Sequence, residues 1–225
     1  MNMYSSNATD RRISLRNFKK TYNLRVRGTD AIFLAGRTDV TIPQLGRSST
    51  NFPLLRHSYI RSDFLSETVP KSIPTRAGRA FTFRTTGTID FFNGSASRYI
   101  PDGGVPNGSN LFGLGGISGY RGAEGALVGV FLSAKNPATQ ATPRRLNFTS
   151  QRLGLSFEQL SPKLGQVFFI GDGRPGNGSD RQQKFIAPPG ATRLFVGIAD
   201  GFGFDGLPGA YEDNDGAYRV VITRR

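Results

Sequence analysis

The sequence has no cysteine, a single histidine and no long apolar run. Without cysteine there is no disulfide framework, no thiolate metal site and no thiol nucleophile, and redox chemistry gives no indication of the cellular compartment. No segment approaches the roughly 20 apolar residues that a membrane helix needs, so we predict no membrane span. Residues 1–20 lack the apolar core of a signal peptide, and we expect none in this form.

Catalytic arrangements are equally scarce. The only histidine, His57, lies in a segment broken by proline, and no G-x-S-x-G or other nucleophile setting accompanies it. GLGGISG and GDGRPGNG do not open a helix and lack G-K-[ST], so we interpret them as turns rather than phosphate loops. No pair of carboxylates in distinct environments indicates a general acid and base. The sequence therefore predicts a protein that is not an enzyme.

Positive charge is in excess and unevenly spread. The formal net charge is +13, and residues 1–79 hold fourteen Lys or Arg against five acidic residues. Such a segment is either a solvated basic tail or a surface that binds nucleic acid, an anionic surface or an acidic neighbour. We expect homo-oligomers or a larger assembly, with an anionic surface as a possible partner of the basic arm.

Short strands joined by glycine-rich turns dominate the pattern. RAFTFRTTGTIDFF places Phe81, Phe83, Ile89 and Phe91 on one face, with polar residues on the other. ALVGVFL, QVFFIG, TRLFVGIAD and AYRVVITRR follow at turn-punctuated intervals. We predict an all-β fold, an antiparallel β-sandwich of the jelly-roll or galactose-binding-like kind, in which helix is scarce.

Three regions follow from these patterns. Residues 1–27 are predicted to be a basic N-terminal arm, although TYNLRVRG within it has the two-residue period of a strand. Residues 28–79 are predicted to hold edge strands, including DAIFLAG, and a Pro-rich segment that wraps over the surface. Residues 80–225 are predicted to form the sandwich, with the glycine-rich stretch after Asn93 forming loops at one end.

The strongest local signal is an acidic loop near the C-terminal end of the sequence. Five of the sixteen acidic residues fall between positions 200 and 215, and no Lys, Arg or His lies between Arg193 and Arg219. Carboxylate, amide and carbonyl oxygens are the ligands that Ca²⁺ takes, whereas nitrogen and sulfur ligands are absent locally. The spacing is not that of an EF-hand. The alternative interpretation is a solvated acidic hairpin loop that keeps a sheet edge soluble.

PGAYEDNDGAYRVVI (208–222), preceded by ATRLFVGIAD and GALVGVF, resembles the calcium-dependent LecA-like bacterial galactose lectins. The same runs are similar to secreted bacterial β-sandwich proteins of the PEP-CTERM type. The resemblance covers about residues 80–225. It implies one calcium ion in the loop, with vicinal sugar hydroxyls completing its coordination, and an extracellular or cell-surface location for the mature form.

The resemblance also implies individual ligands. Asp213 and Asn214 match the side-chain ligand pair, Ala210 matches a backbone carbonyl ligand, and Asp205 matches the acidic ligand before the Pro-Gly turn. A further carbonyl is expected near Phe91, at the end of a strand. For the sugar, the expected contacts are Asp205 and Asp213 with the calcium, and Phe204 and Tyr211 as stacking faces.

Three departures from the lectin pattern separate two functional hypotheses. Asp205 stands one residue further from Pro208, Glu212 replaces a glycine, and residues 99–124 contain no His or Gln to contact a sugar. The first hypothesis is calcium-dependent binding of carbohydrate, galactose-type glycans included. The alternative is a structural protein of a surface layer, fibre or shell, in which the calcium is purely structural and the basic arm makes subunit contacts.

Overall fold

The structure, a computed structural model, describes residues 19–39, 68–92, 94 and 98–225. The strands in these ranges are β1 (Lys20–Arg27), β2 (Ser72–Pro74), β3 (Ala80–Asp90), β4 (Arg98–Tyr99), β5 (Ser109–Leu111), β6 (Tyr120–Gly122), β7 (Leu127–Leu132), β8 (Gln159–Leu160), β9 (Val167–Phe169), β10 (Lys184–Ile186), β11 (Arg193–Ile198), β12 (Asp205–Gly206) and β13 (Asp215–Arg224). Short 3-10 turns span Ile32–Leu34, Pro137–Thr139 and Phe202–Phe204.

The strands form three sheets. The largest has the order β1-β13-β3-β10-β8, with β4 paired to β3. The second has the order β2-β11-β7-β9, and a small third sheet has the order β12-β5-β6. All pairs are antiparallel except β10 with β8 and β12 with β5. The predicted all-β sandwich is therefore confirmed.

Aromatic rings fill the space between the two larger sheets. Phe81 and Phe83 of β3 point inward as their alternation predicts, and both are fully buried. The Phe81 ring lies 5.7 Å from that of Phe131 on β7, and the Phe185 ring of β10 stacks on Phe168 of β9 at 5.1 Å. Burial of each such side chain contributes roughly 1.5–3 kcal/mol. These contacts join the two sheets into one core.

Three parts of the sequence interpretation need correction or refinement. DAIFLAG is not a strand, because Ile32–Leu34 form a 3-10 turn whose side chains are all fully buried and so leave no outward face to alternate. RRLNFT, at 144–149, also forms no strand. The glycine-rich region after Asn93 is not only loops, since it contains β4, β5 and β6.

The N-terminal predictions meet the structure only in part. Residues 20–27 pair along their whole length with β13, so this stretch belongs to the edge of the largest sheet. β2 lies at an edge of the second sheet. The rest of the basic arm, residues 1–18, and most of the Pro-rich segment with His57 lie outside the described residues. Within the described ranges, no helix has the length and apolar character to cross a membrane.

Candidate functional site: a buried carboxylate cluster

The acidic loop lies where four strands end or begin. β11 ends at Ile198 and is followed by Asp200, which is 3% exposed. β3 ends at the buried Asp90, which is in register with Asp215, the first residue of β13. β1 ends one residue before Gly28. Antiparallel pairing of β13 with both β1 and β3 thus brings distant parts of the chain to one end of the sandwich.

Asn214 joins these parts by hydrogen bonds. Its Nδ2 donates to Asp200 Oδ2 at 2.7 Å and to the Gly28 carbonyl at 3.0 Å. The glycine permits this approach, because a Cβ at position 28 would lie 2.9 Å from the Asn214 Cβ. Asp200 Oδ1 accepts from the amide of Gly201 at 2.7 Å. Both oxygens of this buried carboxylate therefore have donors, but neither donor is a cation.

Tyr211 fixes the loop against the end of β11. Its hydroxyl donates to the Ile198 carbonyl at 2.9 Å and accepts from the Asp200 amide at 3.1 Å. The Gly209 amide donates to the Asp200 carbonyl at 3.1 Å. Between them, Ala210 has φ 61°, in the left-handed region that residues with a Cβ seldom adopt. The loop backbone is thus held in one conformation beside the carboxylates.

Burial and mutual repulsion raise the pKa values of the acids. Burial raises the pKa of Asp200 well above its ordinary value, and the nearby charges of Asp213 and Glu212 raise it further, while the donors from Asn214 and Gly201 oppose the change. Burial, with the charge of Asp213, raises the pKa of Glu212 to about 7. Burial, with the charge of Asp90, raises that of Asp213 to about 6. These shifts report a group of carboxyls that costs free energy to ionise.

Three consecutive residues of the loop each have one buried side-chain oxygen that accepts no hydrogen bond from the described residues: Glu212 Oε2, Asp213 Oδ1 and Asn214 Oδ1. Glu212 is 6% exposed and Asn214 is 9% exposed. A buried acceptor without a donor costs about 1–3 kcal/mol, more when it is charged. Three such oxygens on consecutive residues, beside further carboxylates, have the composition of a site for a hard cation.

The donor set fits calcium better than other metals, although the side chains do not enclose an ion by themselves. Across the described ranges, no three or more His, Cys, Asp or Glu residues form a group that could hold a metal ion. Calcium takes six to eight oxygens, including those of amides, backbone carbonyls and water. In this loop Asn214 and the backbone would therefore have to supply part of the coordination.

The predicted ligands fall into two places. Asp213 and Asn214 lie in the cluster, and Ala210 lies in the loop that borders it. Asp205 instead begins β12, is exposed, and accepts from Asn110 Nδ2 at 2.7 Å. Within the described residues, no hydrogen bond joins Asp205 to Asp200 or Asp213. Its role as a ligand remains a prediction.

The aromatic residues near the loop are mostly packed together. The Phe91 ring contacts Tyr99 at 5.2 Å and Phe204 at 5.5 Å, measured between centroids. Phe204 is 4% exposed and Tyr211 is fully buried, so in this structure neither presents a ring face to a ligand at the surface. Phe92 and Phe202 are the exposed rings nearby, at 48% and 56%. The backbone of Phe91 follows Asp90 directly, next to the cluster.

Sequence interpretation missed two members of the cluster. The sequence shows Asp200 as one acid of the loop but not as its buried centre, and Asp90 lies outside the loop altogether. The signal for Asp200 was available, because an acid that directly follows the apolar run LFVGIA sits at the end of a buried strand. Asp90 joins the cluster only through the pairing of β3 with β13, which spans more than 100 residues of sequence.

Comparisons with known proteins add no further constraint: no protein-family model, no curated protein and no solved structure matches this chain. The likeness to bacterial galactose lectins therefore rests on the residues of the loop and its flanking strands.

Proposed function

We propose that the chain is a non-catalytic, calcium-binding β-sandwich protein that binds carbohydrate through the loop between β11 and β13. The observation that supports it is the set of three buried oxygens without donors on Glu212, Asp213 and Asn214. They lie among carboxylates whose pKa values are raised, with no basic residue between Arg193 and Arg219. A divalent cation would supply the positive charge that this group lacks.

The residues of the loop would have different roles in binding the ion. Asp213 and Asn214 would hold the ion with side-chain oxygens, and the carbonyl of Ala210 would add a neutral ligand. Asp200 would keep Asn214 oriented through their 2.7 Å hydrogen bond. A bound calcium ion accepts neutral oxygen ligands, so two adjacent sugar hydroxyls can replace water on it. Asp205 and the backbone near Phe91 stay proposed ligands.

A sugar would meet different aromatic rings from those expected. Phe204 and Tyr211 are buried, whereas Phe92 lies two residues after Asp90 and Phe202 lies in the loop itself, and both of these rings are exposed. The apolar face of a pyranose packing on such a ring would contribute roughly 0.5–1.5 kcal/mol. Galactose-type glycans at a cell surface or outside the cell are the partners that we propose.

Calorimetric titration of calcium tests the metal site. We expect wild-type protein to bind one calcium ion and Asp213→Asn to bind it at least tenfold more weakly, because the variant removes a charged ligand of the same shape. Asp180→Asn is the matched control, since Asp180 is an exposed acid on another loop. Equal titrations for all three proteins would refute the site.

A glycan array tests the sugar. We expect signal on galactose-type glycans with calcium and none with a chelator, and a weaker signal for Phe202→Ala. Calcium binding without any glycan signal would reject the carbohydrate proposal while leaving the metal site intact.

One observation favours the structural alternative as a second candidate. Glu212 is buried, at 6% exposed, and its carboxylate would coordinate the ion in positions that a sugar would need. The calcium would then clamp the ends of β11 and β13 in a subunit of an assembly. Glu212→Gly should open those positions if this is so. Sedimentation of the full chain and of a variant lacking residues 1–18 tests whether the basic arm contributes to self-association.

A further inference from the structure

The outer face of the largest sheet carries a group of positively charged side chains, opposite in sign to the acidic cluster. Because side chains alternate along a strand, the residues next to buried Phe83, Tyr218 and Val26 point away from the core. Those residues include Arg84 on β3, Arg219 on β13 and Arg25 on β1, and all three are exposed. We call this surface the basic face. It is defined by Arg25, Arg84, Lys184, Arg219 and Arg225.

The basic face contains a like-charge pair in register. Arg25 lies directly opposite Arg219 in the antiparallel pairing of β1 with β13, and Arg219 in turn lies opposite Thr86 of β3. Like charges directly opposite each other destabilise a sheet, and no carboxylate of the described chain forms an ion pair with either arginine. A bound polyanion would relieve this repulsion.

A cavity of about 590 Å³ opens at the end of the basic face where β3, β8 and β10 meet. Arg84, Lys184 and Arg225 line it. Its two acids are already paired, Glu158 with Arg181 at 3.4 Å and Asp180 with Arg174 at 3.0 Å. Arg84, Lys184 and Arg225 therefore have no carboxylate partner among the described residues.

A buried hydroxyl also lacks a partner at this place. Thr82 lines the cavity and is 3% exposed, and its Oγ1 makes no hydrogen bond with the described residues. The neighbouring Gln182 side chain lines the same cavity while its Nε2 donates to the Phe83 carbonyl at 2.9 Å. Hydroxyl and amide groups beside unpaired cations suit a ligand that carries both hydroxyls and anionic groups.

The shape and composition of the basic face distinguish among polyanions. Single-stranded nucleic acid is usually bound by stacking bases on aromatic rings, and no exposed aromatic ring of the described chain lies on β1, β3, β10 or β13. Tyr22 on β1 is half-buried and packs against the core. A membrane surface calls for apolar side chains that insert, and Val221 is the one large exposed apolar residue on this face in the described part of the chain. Hydroxyl-bearing threonines occupy much of the remaining surface.

We propose that the basic face and its cavity bind an acidic polysaccharide, whose sulfate or carboxylate groups pair with Arg84, Lys184 and Arg219. This site does not depend on calcium, because its cavity lies on the part of β3 away from the carboxylate cluster and its side chains are on the outer face of the sheet. Six residues of strand separate Arg84 from Asp90, about 20 Å, and four separate Arg219 from Asp215, about 13 Å. The inference therefore stands apart from the proposed function and survives if the calcium site fails.

Binding to polymers of defined charge, in the presence of a chelator, tests the proposal. The probes are dextran sulfate, polygalacturonate and uncharged dextran, measured by surface plasmon resonance at two salt concentrations. The variant Arg84→Ser/Lys184→Ser is compared with the control Arg152→Ser/Lys163→Ser, which removes the same charge from exposed positions outside the sheet face. A second face variant, Arg25→Thr/Arg219→Thr, leaves the cavity intact.

We expect either acidic polymer, but not dextran, to bind wild type, with about a tenfold loss in the first face variant and less than twofold in the control. Preference between dextran sulfate and polygalacturonate identifies the anionic group as sulfate or carboxylate. Equal losses in face variant and control would overturn the proposal, as would the absence of binding. Tighter binding to oligo(dT), or to vesicles of phosphatidylglycerol and phosphatidylcholine, would overturn it in favour of that class.

Discussion

The two ends of β13 show how differently like charges behave when they are buried and when they are exposed. The strand begins at Asp215, beside Asp90, Asp200 and Asp213, and it ends at the half-buried Arg224, which the exposed Arg225 follows. At the acidic end, burial raises the pKa values of Asp200 and Asp213. Along the basic face the arginines are in water. Only the buried group therefore strongly requires an internal partner.

The difference has a simple physical origin. Two like charges 4 Å apart repel by about 1 kcal/mol in water and by about 4 kcal/mol where the effective dielectric constant is near 20. Salt screens the first pair and hardly affects the second. Asp200 accepts from donors on Asn214 and Gly201, whereas no carboxylate of the described residues pairs with Arg25 or Arg219.

The largest effect should follow from removing the donor to the buried carboxylate. Asn214→Ala deletes the hydrogen bonds to Asp200 Oδ2 and to the Gly28 carbonyl, and it leaves both acceptors buried without this donor. We expect a loss of about 3 kcal/mol in the free energy of unfolding, measured with urea without calcium.

The control for this comparison is Asn110→Ala. Asn110 Nδ2 makes an equally short bond, 2.7 Å to Asp205, but at the surface where water can replace it. We expect a loss of about 0.5–1 kcal/mol. If the two variants lose the same stability, burial is not what distinguishes the acidic cluster.

The fold was largely predictable because its signals are local. The two-residue alternation around Phe81 and Phe83 identifies β3, and the apolar runs identify β7 and β11. Ile32–Leu34 could not be assigned correctly, since an apolar run that is buried on all sides looks alike as a strand or a 3-10 turn. Tyr211 and Phe204 illustrate a second limit, because sequence shows that a ring is near a loop but not whether it faces inward.

The candidate site, like the fold, was predictable from the sequence only in part. Asp213 and Asn214 could be found from the sequence because they lie together in one loop. Asp90 and Gly28 enter the cluster only through the pairing of β13 with β3 and with the β1 edge. Long-range strand pairing of this kind cannot be predicted from the local sequence pattern. The burial of the cluster is therefore not predicted from the sequence.

A smaller effect should appear as pH changes without calcium. Glu212 has its pKa raised from 4.5 to about 7 and Asp213 from 3.8 to about 6, so the folded chain binds more protons than the unfolded chain between these values. The free energy of unfolding should therefore fall as pH rises through this window. Urea unfolding at a series of pH values in a chelator measures it.

Calcium and one variant sharpen the pH experiment. Calcium binds the ionised carboxylates in competition with protons, so saturating calcium should reverse the slope and stabilise the protein as pH rises. Glu212→Gln/Asp213→Asn should flatten the pH dependence, because neither side chain then titrates. A slope unchanged in this double variant would assign the effect to other carboxyls.

The smallest expected effect belongs to the basic face, and it has the opposite sign from the effect of damaging the cluster. Arg219→Thr removes one member of the register pair with Arg25 and places a β-branched residue opposite Thr86. We expect a gain of about 0.2–1 kcal/mol at low salt, since the repulsion is lost and no ion pair is broken.

A double-mutant cycle with Arg25→Thr isolates the repulsion from the change in packing, because removal of the second arginine should then add less than removal of the first. The coupling energy should fall towards zero as salt is raised, in contrast to the salt-insensitive loss in Asn214→Ala. A coupling that persists at high salt would mean that the two arginines interact through packing rather than charge, and the electrostatic contrast between the two ends of β13 would not hold.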